Sequence, residues 1–486
     1  MRALVRRDCV FAAVVFLGMF AMAARNVTDP DVWWHLRTGE YIAQHGSVPH
    51  TDPFSYTRAG WPWVTHEWLS ELLIYGLYRA AGWGELIVVF SAILCAAFFL
   101  MYLRCGPNTY VAGLAALFGA WATQMLWGVR PQMISLLMTS LWLLILDRSE
   151  RNPQLLWWTL PLTVLWVNLH AAFALGLALS ALVLAGQWMQ RAPADSNRPR
   201  YLSTAVIVLL IDFLLVPLNP NGWRMYVYPI QTLRSKAMQT YIVEWASPNF
   251  HQAAHWPLLL IVLATIAVLV SSRGRVRARD LLLLAASLYA ALSSIRMIPL
   301  FVLIAGPLVA REFVTREFSG GSQPRRLESS AARVAANTAI VLGMVVFAAI
   351  HTSQVIARQP VAEAEHFPSR AVAFLETHSP AGPIFNQYDW GGYLIWKFGG
   401  RLPVFIDGRA DLYGERFLND FAATYELRDQ WQQTFRRWQI VTVLVPPGSA
   451  LAQGLRASPD WGVSYEDSQA IVLNATGHNG SHTQLP

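Results

Sequence analysis

Eleven apolar runs, each fifteen to nineteen residues long, recur along this chain with arginines gathered between them. They fall at 9–24, 85–103, 109–127, 132–147, 154–168, 172–190, 201–217, 257–271, 281–295, 297–311 and 333–351. Backbone N–H and C=O groups find no water in hydrocarbon, so such runs fold as helices, and roughly 20 helical residues cross a bilayer. Flanking Trp and Tyr complete the shorter runs at the interface. Charged residues make up only 14% of the chain, against roughly a quarter in soluble proteins. The expected fold class is therefore a polytopic α-helical membrane bundle of about eleven transmembrane helices. A further stretch, Trp68 to Tyr78, is short and amphipathic, which predicts a helix lying on the membrane surface.

Basic residues orient the bundle, because cytoplasmic loops carry the excess of Lys and Arg. Arg2, Arg6 and Arg7 precede the first run. Later tracts are Arg148/Arg151, Arg191/Arg198/Arg200, Arg273/Arg275/Arg277/Arg279 and Arg311/Arg316/Arg325/Arg326. With eleven helices every tract lands on one face, which assigns that face to the cytoplasm and the tail after His351 to the outside. Arg6-Arg7, the first run and Ala21-Met22-Ala23 also fit a cleavable signal peptide; under either reading the segment from Arg25 is exported. The net charge of +7 does not indicate nucleic acid, since its arginines are these inter-helix tracts. Cys9, Cys95 and Cys105 lie in or beside apolar runs without metal-ligand spacing, and read as inert thiols.

The polar residues left over concentrate on the outer face. The first outer loop carries Asp29, Asp31, His35, Arg37 and Glu40, then His45, His50 and Asp52, and ends on His66-Glu67-Trp68. Other outer connections hold Arg130, Asn168, His170, Asn219, Asn221, Glu244 and Arg296. Arg130, Asn168, His170 and Arg296 sit at the ends of apolar helices, where a stranded charge or amide costs several kcal/mol. They predict a shared polar cavity at the outer leaflet, lined by Asp31, His66, Arg130 and Arg296; interfacial solvation of each residue separately is the alternative. Arg supplies permanent, forked donors for phosphate oxygens. A carboxylate can take the proton of an attacking hydroxyl, and Trp and Tyr faces suit sugar rings. No GxxxxGK[ST], no GxGxxG after a strand and no HExxH occurs; His66-Glu67-Trp68-Leu69-Ser70-Glu71 lacks the second His.

A helix, an exported loop opening on Asp29-Pro30-Asp31, an interfacial helix, many further helices and an external α/β tail together resemble the membrane glycosyltransferases of the GT-C superfamily. The nearest likeness is to bacterial proteins grouped with the lipopolysaccharide-core sugar transferases. It rests on Asp31-Val32-Trp33-Trp34-His35-Leu36-Arg37-Thr38-Gly39-Glu40, Asn168-Leu169-His170, Asn219-Pro220-Asn221-Gly222-Trp223 and Ile295-Arg296-Met297-Ile298-Pro299. The resemblance implies transfer of a sugar from a polyprenyl-phosphate donor to a cell-envelope glycan, lipid or protein on the external face of a bacterial inner membrane. It also implies an acidic residue of the first outer loop as base or metal ligand, which falls on Asp31 or Asp29, with a divalent cation as an optional cofactor. Asp29 has a structural alternative, capping a turn before Pro30. Substrate-binding roles fall on His35, His66, Glu67, Arg130, His170 and Arg296, with the two arginines on the phosphate. Glu67 has an alternative too, since an acidic residue favours a helix N-terminus.

This reading divides the chain into a transmembrane bundle, 1–352, including the first outer loop 25–84, and an extracytoplasmic α/β domain, 353–486. In the tail, Ala371–His378 and Gly391–Phe398 read as helices; Pro383–Asn386, Pro403–Asp407, Ile440–Val445 and Ile471–Asn474 read as strands, with Val463 in another. Asp389, Asp407, Arg409 and Asp411 read primarily as turn formers and alternatively as acceptor-binding residues. Asn26, Asn474 and Asn479 head N-glycosylation patterns to which no role is assigned. A lipid or sugar transporter and a non-catalytic assembly scaffold remain as alternatives. A transporter predicts broken helices with charges at mid-bilayer, and a scaffold tolerates loss of Asp31.

Overall fold

The computed structural model describes residues 7–190, 198–272, 276–317, 331–380 and 382–476. Arg2, Arg6, Arg191, Arg273, Arg275, Arg325, Arg326 and the pattern at Asn479 lie outside the described residues. The helices are α1 (Arg7–Ala23), α2 (Asp31–His45), α3 (Trp68–Arg104), α4 (Thr109–Thr123), α5 (Pro131–Ser149), α6 (Thr159–Leu169), α7 (Phe173–Met189) and α8 (Arg198–Leu215), then α9 (Arg224–Arg234), α10 (Lys236–Tyr241), α11 (Trp256–Ser271), α12 (Ala278–Ser293), α13 (Ile298–Glu317) and α14 (Ala331–His366). In the tail come α15 (Ser369–Thr377), α16 (Gly391–Phe398), α17 (Ala410–Tyr425), α18 (Trp431–Trp438) and α19 (Ala450–Arg456), with strands β1 (Ile384–Asn386), β2 (Thr442–Val445), β3 (Trp461–Glu466) and β4 (Ile471–Ala475).

All eleven apolar runs are helical. Among the described residues, helices spanning Trp68–Arg104, Ala253–Ser271, Ile295–Thr315 and Ala331–His366 are long and apolar enough to cross a membrane, and Phe173–Met189 is a shorter apolar helix. The surface helix anticipated at Trp68–Tyr78 is the first part of α3, set off from the apolar remainder by non-helical backbone at Ala81 and Gly82.

The chain forms two compact units. The first comprises Met1–Arg25, Gly84–Pro229 and Ile242–Ala357. Its ionisable residues meet at helix ends. Arg104 donates to Asp147 at 2.8 Å, Arg279 pairs with Asp147, Glu150 and Asp280, and Arg277 reaches Glu150 at 2.7 Å. Arg130, Glu244 and Arg296 meet beside the opposite ends of α5 and α12. Arg277 and Arg279, from one basic tract, thus meet the acidic residues at the end of α5 that adjoin Arg148 and Arg151.

The second unit comprises Asn26–Trp83, Ile230–Tyr241 and Arg358–Pro486. Its sheet has the order β1-β2-β4-β3, with β1 parallel to β2 and the other neighbours antiparallel. Residues 403–407 do not form the strand their apolar pattern predicts. Their backbone is satisfied otherwise: Asn386 Oδ1 accepts from Phe405 N at 2.9 Å, Asn386 Nδ2 donates to Ile406 O at 2.8 Å, and Thr57 Oγ1 donates to Phe405 O at 2.6 Å. A bridge from Ser55 to Val404 completes the pattern. Segment 31–45, within the presumed loop, is helix α2, whose buried face presents Val32, Trp33, Leu36 and Ile42.

Candidate active site

Within the second unit, the N-terminus of α2 and two turns of the tail converge on carboxylates. Asp29 Oδ1 accepts from Asp31 N at 2.9 Å, the Asx turn that the Pro30 context suggests. Asp31 opens α2, where the helix dipole favours negative charge, and its Oδ1 accepts from Trp34 Nε1 at 3.1 Å. Gly408 lies against the same oxygen. A Cβ at Gly408 would stand 2.0 Å from Asp31 Oδ1, so only glycine admits this approach. Tyr388 donates its hydroxyl to Gly408 O at 3.2 Å. Burial pushes the Tyr388 phenol well above its usual range, and Asp31, Asp407, Asp389 and Asp411 push it further. Burial and Asp29 likewise raise Asp389. Asp31, Asp389, Asp407 and Asp411 therefore act together on Tyr388, and Asp29 acts on Asp389.

Asp407 and Arg409 hold this neighbourhood in place. Arg409 Nε and Nη2 donate to the two Asp407 oxygens at 2.7 and 2.6 Å, and Nη1 donates to Asp52 Oδ1 at 2.7 Å. Tyr413 adds a bond to Asp407 Oδ2 at 2.7 Å. The guanidinium lies 4.6 Å from the Trp63 ring centre. All three charged side chains are essentially fully buried, and burial of Arg409 is outweighed by Asp407 and Asp52, which hold it firmly protonated. The turn-forming reading of Asp407 and Arg409 missed this ion triad because Asp52 comes from the other end of the chain.

His35, on the next turn of α2, faces α3. Its Nδ1 lies 3.7 Å from Glu67 Oε1 and 3.5 Å from Glu71 Oε1. His66 Nε2 is 3.5 Å from Glu67 Oε2. Asp29, Asp31, His35, His66 and Glu67 thus fall in one unit, and Glu71 joins them. Glu71 was overlooked because the string from His66 was tested only for a second histidine; its signal was the four-residue spacing from Glu67.

The remaining site residues belong to the first unit. Arg130 pairs with Glu244 through Nη1, and Nη2 donates to Glu244 Oε2 at 3.4 Å. Arg296 Nε lies 3.3 Å from Glu244 Oε2, and its guanidinium 5.4 Å from the Trp245 ring centre. Burial raises the Glu244 carboxyl, but Arg130 and Arg296 outweigh it and hold it below its usual range. Two arginines converge on one carboxylate, an arrangement that also suits a phosphate. His170 Nδ1 is 2.9 Å from Ser135 Oγ, which accepts from Trp166 Nε1 at 2.9 Å.

No protein-family model matches the sequence, and no curated protein is similar to it in sequence. Solved structures are similar in fold. The archaeal oligosaccharyltransferase AglB from Archaeoglobus fulgidus, in complex with an inhibitory peptide and a dolichol-phosphate, is 11% identical with a TM-score of 0.56, over 90% of this chain and 69% of that one. ArnT from Cupriavidus metallidurans, bound to undecaprenyl phosphate, is 12% identical with a TM-score of 0.50, over 98% of each chain. The mycobacterial arabinofuranosyltransferase AftD is 13% identical with a TM-score of 0.52, over 97% of this chain and 40% of that one.

Proposed function

We propose that this chain, which has the fold of the GT-C glycosyltransferases, transfers a sugar from a polyprenyl-phosphate donor to a hydroxyl of a cell-envelope acceptor. The observation that carries the reading is Asp31 at the start of α2, its carboxylate packed against Gly408, whose carbonyl accepts the Tyr388 hydroxyl. Asp31 is the base: it takes the acceptor's proton as the hydroxyl oxygen bonds to the anomeric carbon and the bond to the phosphate oxygen breaks. Asp29, through its bond to Asp31 N, fixes the turn that presents Asp31. The departing polyprenyl phosphate is the anion for Arg130 and Arg296, with Glu244 occupying their donors in its absence. The peptide and lipid phosphates bound by AglB and ArnT support donors and acceptors of these general kinds. The tail is assigned to the extracytoplasmic side of a bacterial inner membrane, by the arginine distribution.

A divalent cation would meet two carboxylates here, Asp29 and Asp31, as its protein donors. Within this unit neither joins a third His, Cys, Asp or Glu in a ligand-like cluster among the described residues, and both already accept hydrogen bonds. The proposed step runs through the carboxylate alone.

The test is Asp31→Asn in a reconstituted transfer assay, which keeps size and hydrogen bonding but removes basicity. General-base catalysis contributes roughly 10²–10⁴ in rate, so kcat should fall by that factor with folding intact. Full activity in both Asp31→Asn and Asp29→Asn refutes the assignment of the base. A wild type inactive with every polyprenyl-linked donor, yet still required for envelope assembly, replaces the enzyme with a scaffold.

A further inference from the structure

We infer that Arg58, Trp61 and Arg437 form a subsite for an anionic glycan, a chain of sugars bearing phosphate or carboxylate groups, and that this glycan is the acceptor of the transfer reaction. The binding stands by itself; only its role as acceptor rests on the transfer reading. The subsite follows from a turn. Trp61 N donates to Arg58 O at 2.9 Å, and Gly60, at the third position, has a φ of +71°, a conformation that favours glycine. The base of the turn is pinned where Asp52 N donates to Trp61 O at 2.9 Å and Gly60 N donates to Asp52 O at 3.1 Å. Residues three apart are thereby brought side by side, and the Arg58 guanidinium lies 4.2 Å from the Trp61 ring centre.

The turn rests on the tail. Arg58 Nη2 donates to Tyr413 O at 2.6 Å, and the guanidinium also lies 4.6 Å from the Phe417 ring centre. Two rings and one carbonyl thus fix the fork, a preorganised donor for an oxyanion. Phe417 continues the strip to Trp438, 6.2 Å away between ring centres, and Arg437 lies 5.4 Å from the Trp438 ring centre. Two guanidiniums are therefore set among three aromatic rings. Tyr413 also ties the strip to the proposed active site. Its hydroxyl donates to Asp407, next in sequence to the Gly408 that abuts Asp31.

Exposure and charge say what the strip takes. Trp61 is 54% exposed, the one exposed tryptophan of this unit among the described residues. An indole face open to solvent, outside the membrane helices, suits the apolar face of a sugar ring. Arg58 Nε is buried without a hydrogen-bond partner, and neither Arg58 nor Arg437 pairs with a carboxylate among the described residues. Burial lowers the Arg58 pKa; Tyr413 and Asp52 oppose that, and Arg437 adds to it. Two like charges within reach of each other favour an anion between them. Anionic membranes recruit clusters of about four to eight Lys and Arg, whereas this strip offers two arginines, one of them locked in place. Fixed forks beside an exposed ring match a charged sugar better than a fluid headgroup layer.

The experiment titrates the full chain, purified in detergent, with hexagalacturonic acid and with a phosphorylated mannan oligosaccharide, and reads binding by calorimetry. At least one should bind, and neutral maltohexaose should bind at least about tenfold more weakly. Trp61→Ala and Arg437→Gln, both at exposed positions, should each weaken binding by about tenfold. Arg58→Lys, which keeps the charge but loses the fork, should do the same. Arg456→Gln removes an exposed arginine that is paired with Glu466 and should change nothing. A folded wild type that binds neither acidic probe, or binds maltohexaose equally well, overturns the subsite. So do Trp61→Ala and Arg437→Gln proteins that bind as tightly as wild type. Vesicles of phosphatidylcholine doped with phosphatidylglycerol form a separate arm. Capture of these vesicles through Trp61 and Arg437, without glycan binding, makes the strip a membrane contact and overturns the glycan. Acidic glycan bound by a chain that transfers no sugar leaves the subsite standing and removes the transfer reading. Transfer with an unchanged acceptor KM in Trp61→Ala does the reverse.

Discussion

Replacing Arg409 with Met removes a charge but little volume, and isolates the contribution of the buried ion triad. The side chains of Asp52 and Asp407 are both at 0% exposure, and Arg409 gives them three hydrogen bonds of 2.6–2.7 Å. Without the guanidinium, two carboxylates remain buried, each with only neutral donors: Phe54 N and Ser55 on Asp52, Tyr413 and Arg409 N on Asp407. Removing one partner of a buried pair costs about 3–5 kcal/mol. At about 1.4 kcal/mol per tenfold, that is two to three and a half orders of magnitude in an opening equilibrium. Hydrogen exchange of residues 52–57 and 404–413 in the full-length protein reads this directly. Protection in both segments should fall together, since one side chain ties them. Adding Asp52→Asn and Asp407→Asn to Arg409→Met should recover part of the loss, because no charge is then stranded. A loss below about 1 kcal/mol, or a triple variant no better than the single, refutes the reasoning.

Three further outcomes are expected. Gly408→Ala puts a methyl 2.0 Å from Asp31 Oδ1; forced overpacking costs typically about 1–3 kcal/mol, and transfer activity should fall with Asp31 displaced, whereas unchanged stability and activity would mean this approach is not tight. Asp389 has a folded pKa raised by burial and Asp29, so the stability it contributes is present below its unfolded value near pH 4 and is lost as the pH rises through the folded one. Asp389→Asn should flatten that acid-side slope in a melting-temperature profile, and superimposable profiles would show that it does not titrate there. Arg130→Lys keeps the charge but loses the fork that engages both Glu244 oxygens; donor KM should rise about tenfold with acceptor KM unchanged, and equal effects on both would dissociate Arg130 from the phosphate.

The helices of the bundle were legible because hydrocarbon permits a continuous apolar run few other structures. The ends of α5 and α12 could be placed as well, since arginine tracts declare which helix ends lie together. α2 was read as loop although Val32, Trp33, Leu36 and Ile42 are spaced to bury one helical face; its polar residues drew attention to chemistry rather than period. Pro403–Asp407 looked like a strand because apolar residues cluster there, but side chains of Asn386 and Thr57 took the backbone bonds a sheet would need. The likeness to GT-C proteins was visible in the order of loop, helices and tail, which is an architectural signal. The partners of Asp52 and of Glu71 were not, because nothing local marks a carboxylate whose counterpart arrives from another element.

Asp52 and Arg409 are separated by 357 residues, and that interval has a consequence in time. Ribosomes add roughly 5–20 residues per second, so the segment carrying Asp52 is made about 20–70 seconds before its counter-charge exists. Throughout that interval Asp52, Ser55 and Thr57 have no tail to close on, and their surfaces must be kept from other partners. Assembly of this unit is therefore gated by the completion of synthesis rather than by local collapse. A ribosome that stalls before codon 409 leaves behind an unfinished beginning as well as a missing end.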